Sequence, residues 1–136
     1  MTLSYIYLYL ATVPVFFAVD MLWLGVVART TYVQYLGHLM RTPILWSAAF
    51  LFYFIFLVGL LYFAVIPALH EGSLKSAIIY GALFGFFTYA TYDLTNLATL
   101  RDWPLTITVI DILWGMVLSG TVASVSFLIG KNFLHL

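Results

Sequence analysis

Four apolar stretches, roughly Leu3 to Val27, Ile44 to Ile66, Leu74 to Leu97 and Leu105 to Ile129, leave this chain little freedom in what it can fold into. Each is at or above the ~20 residues a helix needs to cross the hydrocarbon of a bilayer, where backbone N–H and C=O groups must be satisfied without water. Between them they take up most of the 136 residues, of which 65% are hydrophobic and only 7% charged. A soluble domain carries roughly a quarter charged residues, and one small core could not hide this much apolar surface. Lipid must cover the rest. The expectation is one all-α integral membrane domain over residues 1–136, a four-transmembrane-helix bundle.

The punctuation between the stretches agrees. Thr42-Pro43 reads as an N-cap with proline at the first helical position, Pro67 as the close of the second span, Ser73 as a cap for the third, and Pro104 as the opening of the fourth. Pro14 lies inside the first span, where it should kink the helix. The start, Met1-Thr2-Leu3-Ser4, lacks the basic region of a secretory signal, so the first helix is expected to remain in the mature protein. Ala28 to Thr42 alternates Tyr32, Leu36, Leu39 and Met40 with Arg29, Gln34, His38 and Arg41, a pattern suited to a short interfacial segment between helices 1 and 2.

An even number of spans puts both termini on one side of the membrane. The first and third loops then share the opposite face with Arg29, Arg41 and Arg101, against Lys75 and Lys131 on the side of the termini. By the positive-inside rule, three against two favours a cytoplasmic arginine face and periplasmic termini.

Charge and composition exclude several functions. Five basic and five acidic residues with no basic run give a nucleic acid nothing to bind. With no cysteine there is no disulfide, thiolate nucleophile or Cys-ligated metal. The three histidines, His38, His70 and His135, are scattered over loops and the tail, so no histidine metal site is expected. No phosphate-cradling glycine loop and no Ser-His-Asp arrangement is present, and no cofactor is expected.

What is specific is the placement of acids. Only Glu71 and Asp102 lie in loops, whereas Asp20, Asp93 and Asp111 lie inside spans one, three and four. An ionisable side chain at such depth is costly and marks a functional hypothesis. Each stands eight or nine residues from a loop charge of the arginine face, so at ~1.5 Å per residue all three lie at most about 12–14 Å below it. No basic residue stands three or four positions away from any of them, so relief must come from another helix, a loop arginine, a bound cation or a proton. An arginine or a tyrosine hydroxyl is expected within reach of each.

Helical spacing supplies their company. Gly81, Gly85, Tyr89, Tyr92, Asp93 and Asn96 share one stripe of the third span, and Thr108, Asp111, Gly115 and Ser119 one stripe of the fourth. Gly81-x-x-x-Gly85 and Gly115-x-x-x-Ser119 are small-residue patterns that let membrane helices approach closely. The first span offers Thr12, Phe16, Asp20 and Trp23, while the second, with only Ser47 and Tyr53 as polar groups, reads as a packing wall. A short similarity recurs: Asp20-Met21-Leu22-Trp23 and Asp111-Ile112-Leu113-Trp114, on antiparallel helices. Trp23, Trp46 and Trp103 sit where interfacial anchors would, but Trp114 is carried toward the midplane and belongs in a pocket wall.

The Asp20-Met-Leu-Trp-Leu-Gly25 run, Tyr89-Ala-Thr-Tyr-Asp-Leu-Thr-Asn96, and Trp103-Pro104 leading to Asp111-Ile-Leu-Trp-Gly115 together resemble a bacterial family of small inner-membrane proteins known as domain of unknown function 2177 (DUF2177). The resemblance covers essentially the whole chain. It implies a four-span protein of the bacterial inner membrane and carries over no catalytic residues.

The residues support a polar pocket open toward the arginine face. Its candidate lining is Asp20, Trp23, Tyr89, Tyr92, Asp93, Asn96, Asp111 and Trp114, with Arg29, Arg41 and Arg101 near its mouth and the Ala28–Thr42 segment as its lid. Such carboxylates could serve as general acid and base, or hold a hard cation with the help of Asn96. The favoured expectation is binding or modification of a small amphipathic, lipid-like ligand, with membrane lipid, such a ligand or a second copy of the chain as partners. The alternative is an accessory or scaffold subunit whose aspartates fix helix register.

Overall fold

The computed structural model describes residues 2–136, and among these there is helix and no strand. Helix α1 (Thr2–Leu22) runs through Pro14 and ends in a π turn, Trp23–Val27, closed by an Ala28 N–H to Trp23 carbonyl bond of 2.7 Å. A short α2 (Thr31–Leu36) and a 3₁₀ turn (Gly37–Leu39) follow. Then come α3 (Trp46–Leu60), a second π turn (Leu61–Val65) and α4 (Ile66–Glu71), which together make one continuous rod. Two long helices, α5 (Leu74–Thr99) and α6 (Leu105–Asn132), complete the chain.

Three of these rods are long and apolar enough to cross a membrane: Thr2–Val27, Trp46–Glu71 and Leu105–Asn132. Helix α5 matches them in length with 26 residues but carries more polar side chains, among them Thr88, Thr91, Asp93, Thr95 and Asn96. Its threonines turn inward on their own backbone. Thr88, Thr91 and Thr99 each donate to the carbonyl four residues earlier at 2.6–2.8 Å, and Thr95 does the same toward Thr91, so these hydroxyls need no water.

The helix boundaries correct two of the proline readings. The Thr42–Pro43 peptide is cis and lies in a bend, and α3 begins only at Trp46, with Leu45 at the cap position. Pro67 does not end the second rod. It occupies the first turn of α4, just after the π turn, where the register shift has already released the carbonyl that its ring would meet, and the helix continues to Glu71. Ser73 does cap α5, its hydroxyl accepting from the Ser76 N–H at 3.1 Å, and α6 starts directly after Pro104.

The tightest packing is between α5 and α6. A Cβ on Gly81 would lie 2.7 Å from the Ser119 carbonyl oxygen and 2.6 Å from the Ala123 Cβ, one on Gly85 would collide with the Gly115 carbonyl, and one on Gly115 with the Tyr89 ring. These glycines therefore let the two backbones touch, as the small-residue spacing implied. Helix α1 joins α6 on its other side, where Thr12 donates to the Leu8 carbonyl and keeps its lone pairs for the Ser126 hydroxyl, both at 2.8 Å. Leu8, Leu57, Leu60, Leu118 and Val122, all fully buried, fill the half of the bundle nearer the chain termini. The half nearer Arg29, Arg41 and Arg101 is packed differently.

Candidate functional site

In that second half the helices enclose a cavity of about 690 Å³. Asp20 and Leu24 from α1 and its π turn, Tyr89, Tyr92 and Asp93 from α5, and Ile107, Asp111 and Trp114 from α6 form three sides. The fourth is α3, which contributes Ala49, Phe52, Tyr53, Phe56 and Gly59, so the wall assigned to packing alone is one face of the site. Tyr32 and Leu36 of α2 close it from the loop side.

The three aspartates of α1, α5 and α6 are all buried, with Asp20 4%, Asp93 1% and Asp111 9% exposed, and all three line this one cavity. Their partners differ. Asp20 accepts from the Trp114 indole N–H at 3.3 Å. Asp111 accepts from the Tyr32 hydroxyl at 2.7 Å, and that oxygen in turn accepts from the Trp23 indole N–H at 3.1 Å. The two indoles stack face to face, ring centroids 4.5 Å apart and planes 7° from parallel. The recurring Asp-x-x-Trp pattern thus has a geometric meaning: on antiparallel helices the tryptophan of each copy supports the aspartate of the other, directly in one direction and through Tyr32 in the opposite one. Burial, reinforced by the neighbouring Asp111 carboxylate, pushes the Tyr32 phenol well above its ordinary range, so it remains a donor.

Asp93 has no such support. Neither of its oxygens has a hydrogen-bond partner. Asp111 lines the same cavity, but two carboxylates are both acceptors, and without a proton or a cation neither can satisfy the other. Among the described residues, no three His, Cys, Asp or Glu side chains group closely enough to form a metal-ligand set.

Several expected members stand elsewhere. Arg29, Arg41 and Arg101 are exposed and none lines the cavity; of the arginine or tyrosine hydroxyl expected at each carboxyl, only Asp111 has one, from Tyr32, while Asp20 takes an indole and Asp93 has no partner. A guanidinium on a loop gains more from solvent than from entering this pocket. Asn96 is half-buried and lies outside the lining, and Trp23 stands behind Trp114 rather than in the wall. Of the interfacial anchors, Trp46 is exposed, but Trp103 is buried, donates to the Thr108 hydroxyl at 3.0 Å and meets the Tyr92 ring edge-on. Tyr32, Tyr53 and Thr88 were not among the expected site residues. Tyr32 reads in sequence as one apolar position of an amphipathic segment, and nothing local marks it as the partner of Asp111.

A helical protein with three membrane-length apolar rods and a carboxylate-lined cavity among its helices belongs to the class of integral membrane proteins with an internal polar site. This chain belongs to the family of predicted membrane proteins DUF2177, whose family model matches residues 5–128. No curated protein and no solved structure matches it.

Proposed function

We propose that this is a four-span protein of the bacterial inner membrane that binds or modifies a small amphipathic, lipid-like ligand in the carboxylate-lined cavity at its arginine face. One observation carries the reading: Asp93 is 1% exposed, lines a cavity walled largely by aromatic and aliphatic side chains, and has no hydrogen-bond partner for either carboxyl oxygen. An uncompensated carboxylate at this depth costs ~2.5–3.5 kcal/mol on insertion scales, more than a residue without a task would be worth. A ligand with an apolar body and a donor head would satisfy both the walls and the acid.

The membrane arrangement fits. Helix α5, at 26 residues and ~1.5 Å per residue, is about 39 Å long and lies against α6, so the two share their depth in the bilayer. Four spans put the termini together, periplasmic under the positive-inside rule, with α2 lying in the interface as the lid of the cavity. Register alone is a poor account of Asp93, because a carboxylate that bonds to nothing orients no helix.

Gentle extraction followed by native mass spectrometry tests the reading. The wild-type chain should carry a co-purifying lipid-like mass that Asp93→Asn lacks. An empty wild type, or equal loads in both, would count against it.

A further inference from the structure

The cavity is not closed toward the bilayer. The backbones of α3 and α5 stand apart, and side chains alone bridge the seam, Phe56 and Gly59 of α3 against Phe84 and Tyr89 of α5. At that seam Phe52, Phe63, Phe84 and Thr88 line both the cavity and a second, open groove of about 670 Å³ that runs out along α5. The groove's mouth is apolar and uncovered: Phe63 and Phe87 are each more than 60% exposed, at 64% and 63%. The groove and the cavity therefore adjoin at the α3–α5 seam, the one opening on the acyl-chain region and the other lined by the unpartnered Asp93.

The outer groove and the inner cavity ask for opposite chemistries. The outer end offers aromatic rings and no charge. The inner end offers the carboxyls of Asp20, Asp93 and Asp111, with no cationic side chain lining the cavity among the described residues. A carboxylate or phosphate head would meet like charge there, and a hydroxyl brings one donor to several empty lone pairs. An ammonium brings three donors and cancels charge.

Building on the ligand reading above, we infer that the occupant is a long-chain amine that enters sideways from the bilayer through the α3–α5 gap, placing its ammonium between Asp93 and Asp111 and leaving its alkyl chain along Phe63, Phe84 and Thr88. The lid over the loop side, pinned by Tyr32 to Asp111, makes the lateral route the open one.

The test uses the full chain in nanodiscs of zwitterionic lipid, with dodecylamine, dodecanol and dodecanoate as probes and equilibrium binding read against empty discs. Dodecylamine should bind about thirtyfold or more tightly than either other probe, the factor expected where a buried charge pair is completed, and Asp93→Asn should erase that preference at unchanged melting temperature. Thr88→Trp, which fills the gap, should slow the association of dodecylamine while leaving that of butylamine unchanged. If dodecanol or dodecanoate binds as well as the amine, or Asp93→Asn keeps the preference, the amine assignment falls while the ligand pocket stands. If none of the three binds above empty discs, both fall. An unaltered association rate in Thr88→Trp overturns the lateral route.

Discussion

The indole of Trp23 lies flat on that of Trp114, with planes 7° from parallel, and each indole N–H is committed to a different carboxylate of the same cavity. Trp114 holds Asp20 and Trp23 holds Asp111 through Tyr32. The stack and the Trp114–Asp20 bond thus couple helix α1 and its π turn to α6 at the depth of the site. Stacked aromatic pairs contribute about 0.5–1.5 kcal/mol beyond their burial, and a double-mutant cycle of Trp23→Ala and Trp114→Ala should return a coupling in that range. The near-ultraviolet circular dichroism of the coupled indoles should vanish equally in either single variant.

The three aspartates should respond differently to replacement by leucine. Asp93 bonds to nothing in the protein, so Asp93→Leu removes an uncompensated buried carboxylate and is expected to leave the melting temperature unchanged or raise it. Asp20→Leu and Asp111→Leu strand the Trp114 N–H and the Tyr32 hydroxyl, and each should cost about 1–3 kcal/mol. Thermal unfolding in detergent compares them directly. A destabilised Asp93→Leu would mean that the carboxylate has a structural partner after all.

Glycine substitutions along the helix seam separate close approach from mere helix propensity. Gly85→Ala and Gly115→Ala place a methyl into the opposing backbone or the Tyr89 ring, and overpacking of this kind costs about 1–3 kcal/mol or more. Gly25→Ala meets nothing within 4 Å and serves as the control. It should be neutral or gain a few tenths of a kcal/mol from lost chain entropy.

Tyr32→Phe keeps the ring over the cavity and deletes the donor to Asp111. Losing a hydrogen bond to a charged acceptor should cost about 1.5–3 kcal/mol, felt first in the lid rather than in the bundle. Hydrogen exchange should therefore accelerate across residues 28–42 while the amides of α5 and α6 keep their protection.

Topology is open to single-cysteine labelling, since the chain has no cysteine of its own. Cysteines at 29, 41 and 101 should react with an impermeant reagent from one side, and those at 71 and 131 from the other. Reaction of 41 and 71 from the same side would overturn the four-span arrangement.

Much of this protein is legible in its sequence because the bilayer makes local demands. An uninterrupted apolar stretch has to become a helix wherever lipid surrounds it, and the observed rods lie within a few residues of the apolar stretches, even where Pro67 is absorbed instead of ending one. Spacing along a single helix also suffices to predict that Gly81 and Gly85 face Gly115 and Ser119, because closeness there depends on what is missing from the side chain. The partners of the charges are another matter. That Asp20 rests on Trp114, that Tyr32 reaches Asp111 from a loop, that the arginines stay outside and that Asp93 is left alone all depend on how four rods and a lid meet. Hydrogen bonds between distant elements leave no periodicity in the chain, and the cavity itself lies where α1, α3, α5 and α6 meet, a property of packing that no single segment encodes.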